Sequence, residues 1–107
     1  MIAERLVHIN KSYVYITHEP HAVNSNLYFA ADEFEFSKKD KEAVAVLAFR
    51  IVITHPFAQG NKRTANAAIE LFYDIDGEKL KHILLLIASN NIDKEEAVKR
   101  MKMIMGD

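Results

Sequence analysis

The apolar positions of the chain recur mostly at helical spacing. Near the N-terminus they step by three or four, which predicts a helix that ends near residue 16 and has on its inner face Ile2, Leu6, Ile9, Tyr13 and Ile16. The β-branched and aromatic run 13–16 also suits a strand, and the pattern leaves both structures open. Pro20 breaks it. His18 and His21 beside that proline lack the HExxH spacing of a metalloprotease helix, so we expect a polar loop here.

Two short stretches precede the most apolar part of the chain. Asn24, Ser25 and Asn26 are candidate N-caps and predict a short helix over residues 27–31. Charged and aromatic residues then alternate over residues 32–36, which predicts an extended segment with its phenylalanines inward and its acidic side chains solvated.

A nearly all-apolar helix is predicted next, with Ser37 and Asp40 forming a capping-box-like start. Such a helix belongs at the centre of a domain. Pro56 ends it and is expected to hold His55 in an extended conformation. Its predicted inner face consists of Val44, Leu47, Ala48, Ile51 and Val52.

Three more helices are predicted after this one. The first begins at Thr64 and ends at Asp76–Gly77, with glycine as a left-handed cap, and its inner face is Ala65, Ala68, Ile69 and Phe72. The next covers residues 80–88, and the last starts with Asp93 as N-cap and Glu96 as its box partner. We expect the methionines near the C-terminus to fill the core, and His8 and His82 to be structural or surface residues.

Composition limits the classes of function. A length of 107 residues with 50% hydrophobic residues predicts one domain, 1–107, with a single core, and the helical patterns along the chain predict an all-α fold of about five or six helices. A net charge of −1 gives no global attraction to nucleic acid or to an anionic membrane. The chain lacks cysteine, a run of about 20 apolar residues and a signal peptide, so we expect a cytoplasmic protein without nucleic-acid or membrane partners.

The candidate chemistry lies in residues 55–65, HPFAQGNKRTA, which we call the central loop. Gly60 before a helix leaves free backbone N–H groups at the positive end of the helix dipole. Lys62 and Arg63 oppose that dipole, so an anionic ligand explains them better than stability does. His55 is a residue type that accepts a hydroxyl proton near neutral pH. An ordinary interhelical turn explains the proline and glycine but not this combination of base and cations.

The central loop resembles the signature of the Fic/Doc (Fido) family, HxFx[D/E]GNxRxx[R]. Lys62 stands where most Fic proteins have a second glycine and is similar to the Doc, or death-on-curing, branch. The resemblance implies a Fido-like helical bundle around a central helix-loop-helix. It also implies a transferase that moves AMP, or in the Doc branch the γ-phosphoryl group, from ATP to a protein hydroxyl. The matching positions are His55, Phe57, Gly60, Asn61 and Arg63.

The same resemblance implies roles for these residues. His55 would be the general base, Phe57 would anchor the loop, and Arg63 would neutralise charge during transfer. Phosphate would be bound by Gly60, Asn61, Lys62 and Arg63. The partners implied are a protein substrate and, if the chain is the toxin of a toxin–antitoxin pair, a separate antitoxin, because no serine or threonine is followed four residues later by glutamate as in self-inhibiting Fic proteins.

Two positions depart from the family pattern. Gln59 replaces the acidic residue that holds Mg²⁺, and because a neutral amide is a much weaker ligand than a carboxylate, we expect Mg²⁺ binding to be weak and transfer to be slow. Asn66 replaces the second arginine, which Doc-type members commonly lack. The family's target-docking β-hairpin flap has little room between Asp32 and Ser37. A second hypothesis is therefore an impaired nucleotide-binding pseudoenzyme that acts by protein association.

Overall fold

Six α-helices make up most of the structure. The computed structural model of the chain describes residues 1–17 and 22–106, so the loop predicted at His18–His21 lies outside the described residues. Within the described ranges the only β-type pairing is a single bridge between Val23 and Phe57, and no helix there has the length and apolar character needed to cross a bilayer. The all-α prediction is confirmed. The helices are α1 (Ile2–Thr17), α2 (Asn26–Glu35), α3 (Lys41–Thr54), α4 (Asn61–Glu70), α5 (Gly77–Ala88) and α6 (Lys94–Ile104).

Helix α3 is the centre of the bundle and packs against α2, α4, α5 and α6. All five residues of its predicted inner face are buried. The predicted start of α3 was wrong, because Asp40 and not Ser37 is the N-cap. The Asp40 carboxylate accepts a hydrogen bond of 2.9 Å from the Ala43 N–H. Ser37 instead donates its hydroxyl to the Phe34 carbonyl and closes the end of α2.

The extended segment predicted at residues 32–36 is wrong, because α2 continues through Glu35. Phe34 follows Leu27 and the alanines at 30 and 31 on one helical face and is buried with them, whereas Phe36 is 92% exposed. Helical burial every three or four residues thus outweighed the local alternation of charge and aromatic residues. The acidic residue Glu33 lies on the solvent side and pairs with Arg50 at 3.2 Å.

Helix α1 is confirmed as a helix, with a different buried face from the one predicted. Ile2 and Leu6 are buried as expected, Ile9 and Tyr13 are only half-buried, and the Ile16 side chain lies outside the described residues. Over residues 1–14 the buried positions step by four, and one of them is polar. They are Ile2, Leu6, Asn10 and Val14.

Helix α4 is shorter and begins earlier than predicted. It starts at Asn61 because Gly60, with φ of 74°, serves as its N-cap, and it ends at Glu70. Phe72 therefore lies after the helix, where its ring packs against Phe34 at a centroid distance of 5.6 Å. The predicted left-handed cap at Gly77 is also wrong. Gly77 is the first residue of α5. The Asp76 carboxylate accepts hydrogen bonds from the backbone N–H groups of Glu78 and Lys79.

Helix α6 begins as predicted, since the Asp93 carboxylate accepts from the Glu96 N–H at 2.8 Å. The Glu96 side chain pairs with Arg100 rather than completing the box. Met101 and Met105 are buried in the core and Met103 is 61% exposed, so the expected core role holds for two of the three. His8 and His82 are surface residues of α1 and α5.

Candidate active site

The central loop begins at the C-terminal end of α3, where His55 adopts the left-handed conformation, with φ of 48° and ψ of 60°. The expected extended conformation is therefore wrong. The amides of Asn24 and Asn26 donate to the carbonyls of His55 and Thr54 at 3.0 and 2.9 Å, and these bonds cap the last turn of α3. A left-handed C-cap with two side-chain donors overcame the preference imposed by Pro56. The His55 side chain is exposed.

The middle of the loop is fixed to the segment that precedes α2. The Asn24 N–H donates to the Pro56 carbonyl at 2.8 Å, and the Ala58 N–H donates to the Ala22 carbonyl at 3.1 Å. Phe57 lies between these two bonds with its side chain 2% exposed in the hydrophobic core. One aromatic ring and two backbone hydrogen bonds thus hold the loop against the domain.

Asn61 closes the loop from the other side. Its amide oxygen accepts from the Phe57 N–H at 3.0 Å, and its amide nitrogen donates to the Phe57 carbonyl at 2.8 Å. The sequence prediction placed Asn61 among the phosphate-binding residues, through backbone N–H and side-chain donors. In the structure its side-chain amide bonds the loop backbone, and its backbone N–H is the first of helix α4.

The first turn of α4 carries positive charge without compensation from its own acidic residues. Its first intrahelical hydrogen bond runs from the Thr64 N–H to the Gly60 carbonyl at 2.9 Å, so the N–H groups of Asn61, Lys62 and Arg63 precede the hydrogen-bonded part of the helix. No aspartate or glutamate lies in this turn, and both cationic side chains are exposed. Backbone donors, the helix dipole and two cations together favour an anion.

Two clefts border this turn. The first, of about 340 Å³, lies between α1 and the loop and is lined by Tyr13, Val14 and residues 59–63. The second, of about 540 Å³, shares Tyr13, Lys62 and Arg63 and extends to α5. The Arg63 guanidinium lies over the Tyr13 ring at 6.0 Å from its centroid, which places this cation beside α1. His55 lines neither cleft and lies at the opposite end of the loop.

The part of the sequence that forms this site matches a known protein family. The family model described as the Fic/DOC family matches residues 6–73, which is more than half of the chain and includes most of α1, all of α2 to α4 and the whole central loop. The chain belongs to the Fic/DOC family. At the family level this membership supports transfer of an AMP or phosphoryl group. Neither the search of curated proteins nor that of solved structures found a match.

Gln59, which the sequence prediction assigned to the family's metal-binding position, has an exposed side chain that lines the first cleft. Among the described residues, no aspartate or glutamate lines that cleft, and no group of three histidine or acidic side chains is placed to hold a metal. Because Mg²⁺ prefers carboxylate oxygens, this donor set does not fit the ion well. Asn66, which the sequence prediction assigned to the position of the second arginine, donates to Glu70 one turn later.

The sequence analysis missed Asn10, which the structure places directly beneath the Fic/DOC loop. Asn10 is 1% exposed, and its amide nitrogen donates to the Gln59 carbonyl at 2.7 Å and to the Thr64 hydroxyl at 3.1 Å. The available signal was its position, four residues from both Leu6 and Val14 on the buried face of α1. A polar residue there needs a partner on the element against which the helix packs.

Proposed function

We propose that the chain is a Doc-like transferase that uses ATP to modify a hydroxyl of a protein substrate, with γ-phosphoryl transfer favoured over AMP transfer. The observation that supports this most is the first turn of α4, where Lys62, Arg63 and free backbone N–H groups border one cleft while His55 stands exposed at the other end of the loop. Lys62 at the second-glycine position supports the Doc branch.

In the proposed reaction, the first turn of α4 binds the phosphates and Arg63 neutralises charge on the group in transfer. The acceptor hydroxyl oxygen attacks the γ-phosphorus while the bond to the bridging oxygen of ADP breaks. The hydroxyl proton passes to the imidazole of His55, which no described residue hydrogen-bonds. Phe57 and Asn61 serve this step indirectly, because they fix the loop that carries both ends of the site.

A second candidate function is a nucleotide-binding protein without efficient transfer, and Gln59 is the observation that favours it. With a neutral amide and no carboxylate at position 59, ATP would be bound mainly by cations and backbone donors. In either case the chain could act as the toxin of a pair, held inactive by a separate antitoxin. Growth arrest on expression, relieved by His55→Ala, would support the toxin role, and harmless expression of the wild type would argue against it.

The first test is calorimetric titration of ATP into the purified chain, with and without Mg²⁺. We expect Arg63→Ala to weaken binding about tenfold or more, which corresponds to ~1.4 kcal/mol. Lys99→Ala, an exposed cation on α6 away from both clefts at the loop, is the matched control and should bind ATP as the wild type does. Absence of ATP binding by the wild type in both conditions would overturn the proposal.

A further inference from the structure

We infer that Asn10 is a positioning residue: from α1 it orients the peptide group between Gln59 and Gly60 so that the Gly60 N–H joins the donors that bind the anion. The inference concerns how the anion site is formed, and it rests on the proposed function for the role of that site. It names a residue outside the central loop.

The first step concerns the direction of one peptide group. The Asn10 amide holds the Gln59 carbonyl from the buried side at 2.7 Å. Peptide bonds here are trans, and in a trans peptide the C=O and the following N–H point in opposite directions. The Gly60 N–H is therefore directed away from the buried Asn10 amide, and along the chain it directly precedes the N–H of Asn61 at the start of α4.

The second step concerns how tightly this geometry is held. A Cβ atom at Gly60 would lie 3.1 Å from the Asn10 amide nitrogen, so the loop backbone rests against this side chain. The same nitrogen also donates to the buried hydroxyl of Thr64 at 3.1 Å. One amide thus fixes both the peptide before α4 and the first turn of α4 itself. A peptide group held in this way, next to the first N–H groups of a helix, contributes to the kind of backbone concavity that binds anions.

The third step concerns the choice of residue. The other buried positions of this face of α1 are aliphatic, and the Asn10 amide oxygen has no hydrogen-bond partner among the described residues. A buried acceptor without a partner is unfavourable, so an aliphatic residue would suit the core better. The amide is explained by what its nitrogen does for the loop.

The variant that tests this is Asn10→Leu, which suits the apolar surroundings and removes the donor. The Gln59 carbonyl would then lack a partner unless the peptide between Gln59 and Gly60 turns and exposes this carbonyl to water. Such a turn would put the carbonyl oxygen, which repels an anion, in the place of the Gly60 N–H. We expect ATP affinity, measured by calorimetry well below the melting temperature, to fall about tenfold or more. We also expect the ¹H–¹⁵N signal of Gly60 to shift.

Two further variants keep the test decisive. Asn10→Ser, which is small enough for its site, should change ATP affinity and the Gly60 signal in the same direction if Asn10→Leu does not fold. Ile87→Val, a buried change on α5 that touches neither cleft, controls for lost stability and should keep ATP affinity within about twofold of the wild type.

The outcomes separate the two proposals. If the wild type binds ATP and the folded Asn10 variants bind it equally well with an unshifted Gly60 signal, the positioning role is wrong. If the wild type binds no ATP, the proposed function fails. The Gly60 signal then still decides the positioning role: a shift in the Asn10 variants supports it, and an unshifted signal overturns it.

Discussion

The side-chain amide of Asn61 bonds both backbone groups of Phe57, accepting from its N–H at 3.0 Å and donating to its carbonyl at 2.8 Å. This pair closes the loop between α3 and α4 across four residues. The two ends of the proposed site, His55 and the first turn of α4, keep their relative positions through this closure. The Asn61 side chain thus holds the loop closed in the structure.

Asn61→Ala is expected to destabilise the protein, because it leaves both Phe57 backbone groups without their partners. The expected loss in the free energy of unfolding is about 1–3 kcal/mol, measured by urea denaturation. Asn66→Ala is the matched control, since Asn66 bonds only the Glu70 side chain on the helix surface, and its effect should stay within ~0.5 kcal/mol. Equal effects of the two changes would contradict the closing role of Asn61.

Gly60→Ala should also destabilise the protein. The φ of 74° disfavours any residue with a Cβ, and that atom would press on Asn10 at 3.1 Å. We expect a loss of about 1–2 kcal/mol, seen as a lower midpoint in thermal unfolding followed by circular dichroism.

Gly77→Ala is the control for this glycine prediction. Gly77 opens α5 without a left-handed φ, and no atom lies within 4 Å of the position that its Cβ would take. This change should be neutral or stabilise by about 0.4–1 kcal/mol. A Gly60→Ala variant as stable as Gly77→Ala would argue against the left-handed N-cap of α4.

His55→Ala should separate nucleotide binding from transfer. His55 lines neither cleft at the loop, so ATP affinity should stay close to that of the wild type, while loss of the base should slow transfer by about 10²–10⁴-fold. The measurement is incorporation of label from γ-³²P-ATP and from α-³²P-ATP into proteins of a bacterial lysate. His82→Ala, on the surface of α5, should label like the wild type.

The two labels also test the branch of the family. Label from γ-³²P-ATP alone would support phosphoryl transfer, whereas label from α-³²P-ATP would show AMP transfer and contradict the Doc-like proposal. Undiminished labelling by His55→Ala would exclude this residue as the base. A wild type that binds ATP without labelling any protein, together with a Gln59→Glu variant that does not label either, would contradict the transferase hypothesis and favour a nucleotide-binding protein.

Gln59→Glu should introduce a metal requirement. The side chain at this position is exposed and lines the first cleft, so a carboxylate there provides the oxygen ligand that Mg²⁺ prefers. We expect Mg²⁺ to strengthen ATP binding by this variant and to increase its transfer rate, with a smaller effect of Mg²⁺ on the wild type. Gln59→Met, similar in size and without a strong ligand, should gain no dependence on Mg²⁺.

Much of the fold follows from the sequence because helices bury residues at a fixed local spacing. The inner face of α3, the cap at Asp93 and the end of α3 before Pro56 were all predictable from residues within one or two turns of each other. The predictions failed where two local patterns competed. Charged and aromatic residues alternate over residues 32–36 as in a strand. Only the packing of Phe34 into the core, on the buried face of α2, decided that this segment is helical.

For the site, the sequence by itself determined which chemical groups are present: the imidazole of His55, the cations Lys62 and Arg63, and the neutral amide of Gln59. Spacing along the chain was enough, because the loop is continuous in sequence. The tertiary structure alone decided how the loop is held. Asn10 lies 49 residues from Gln59 along the chain, and its role exists only because α1 packs across the start of α4 and leaves its amide no water to bond.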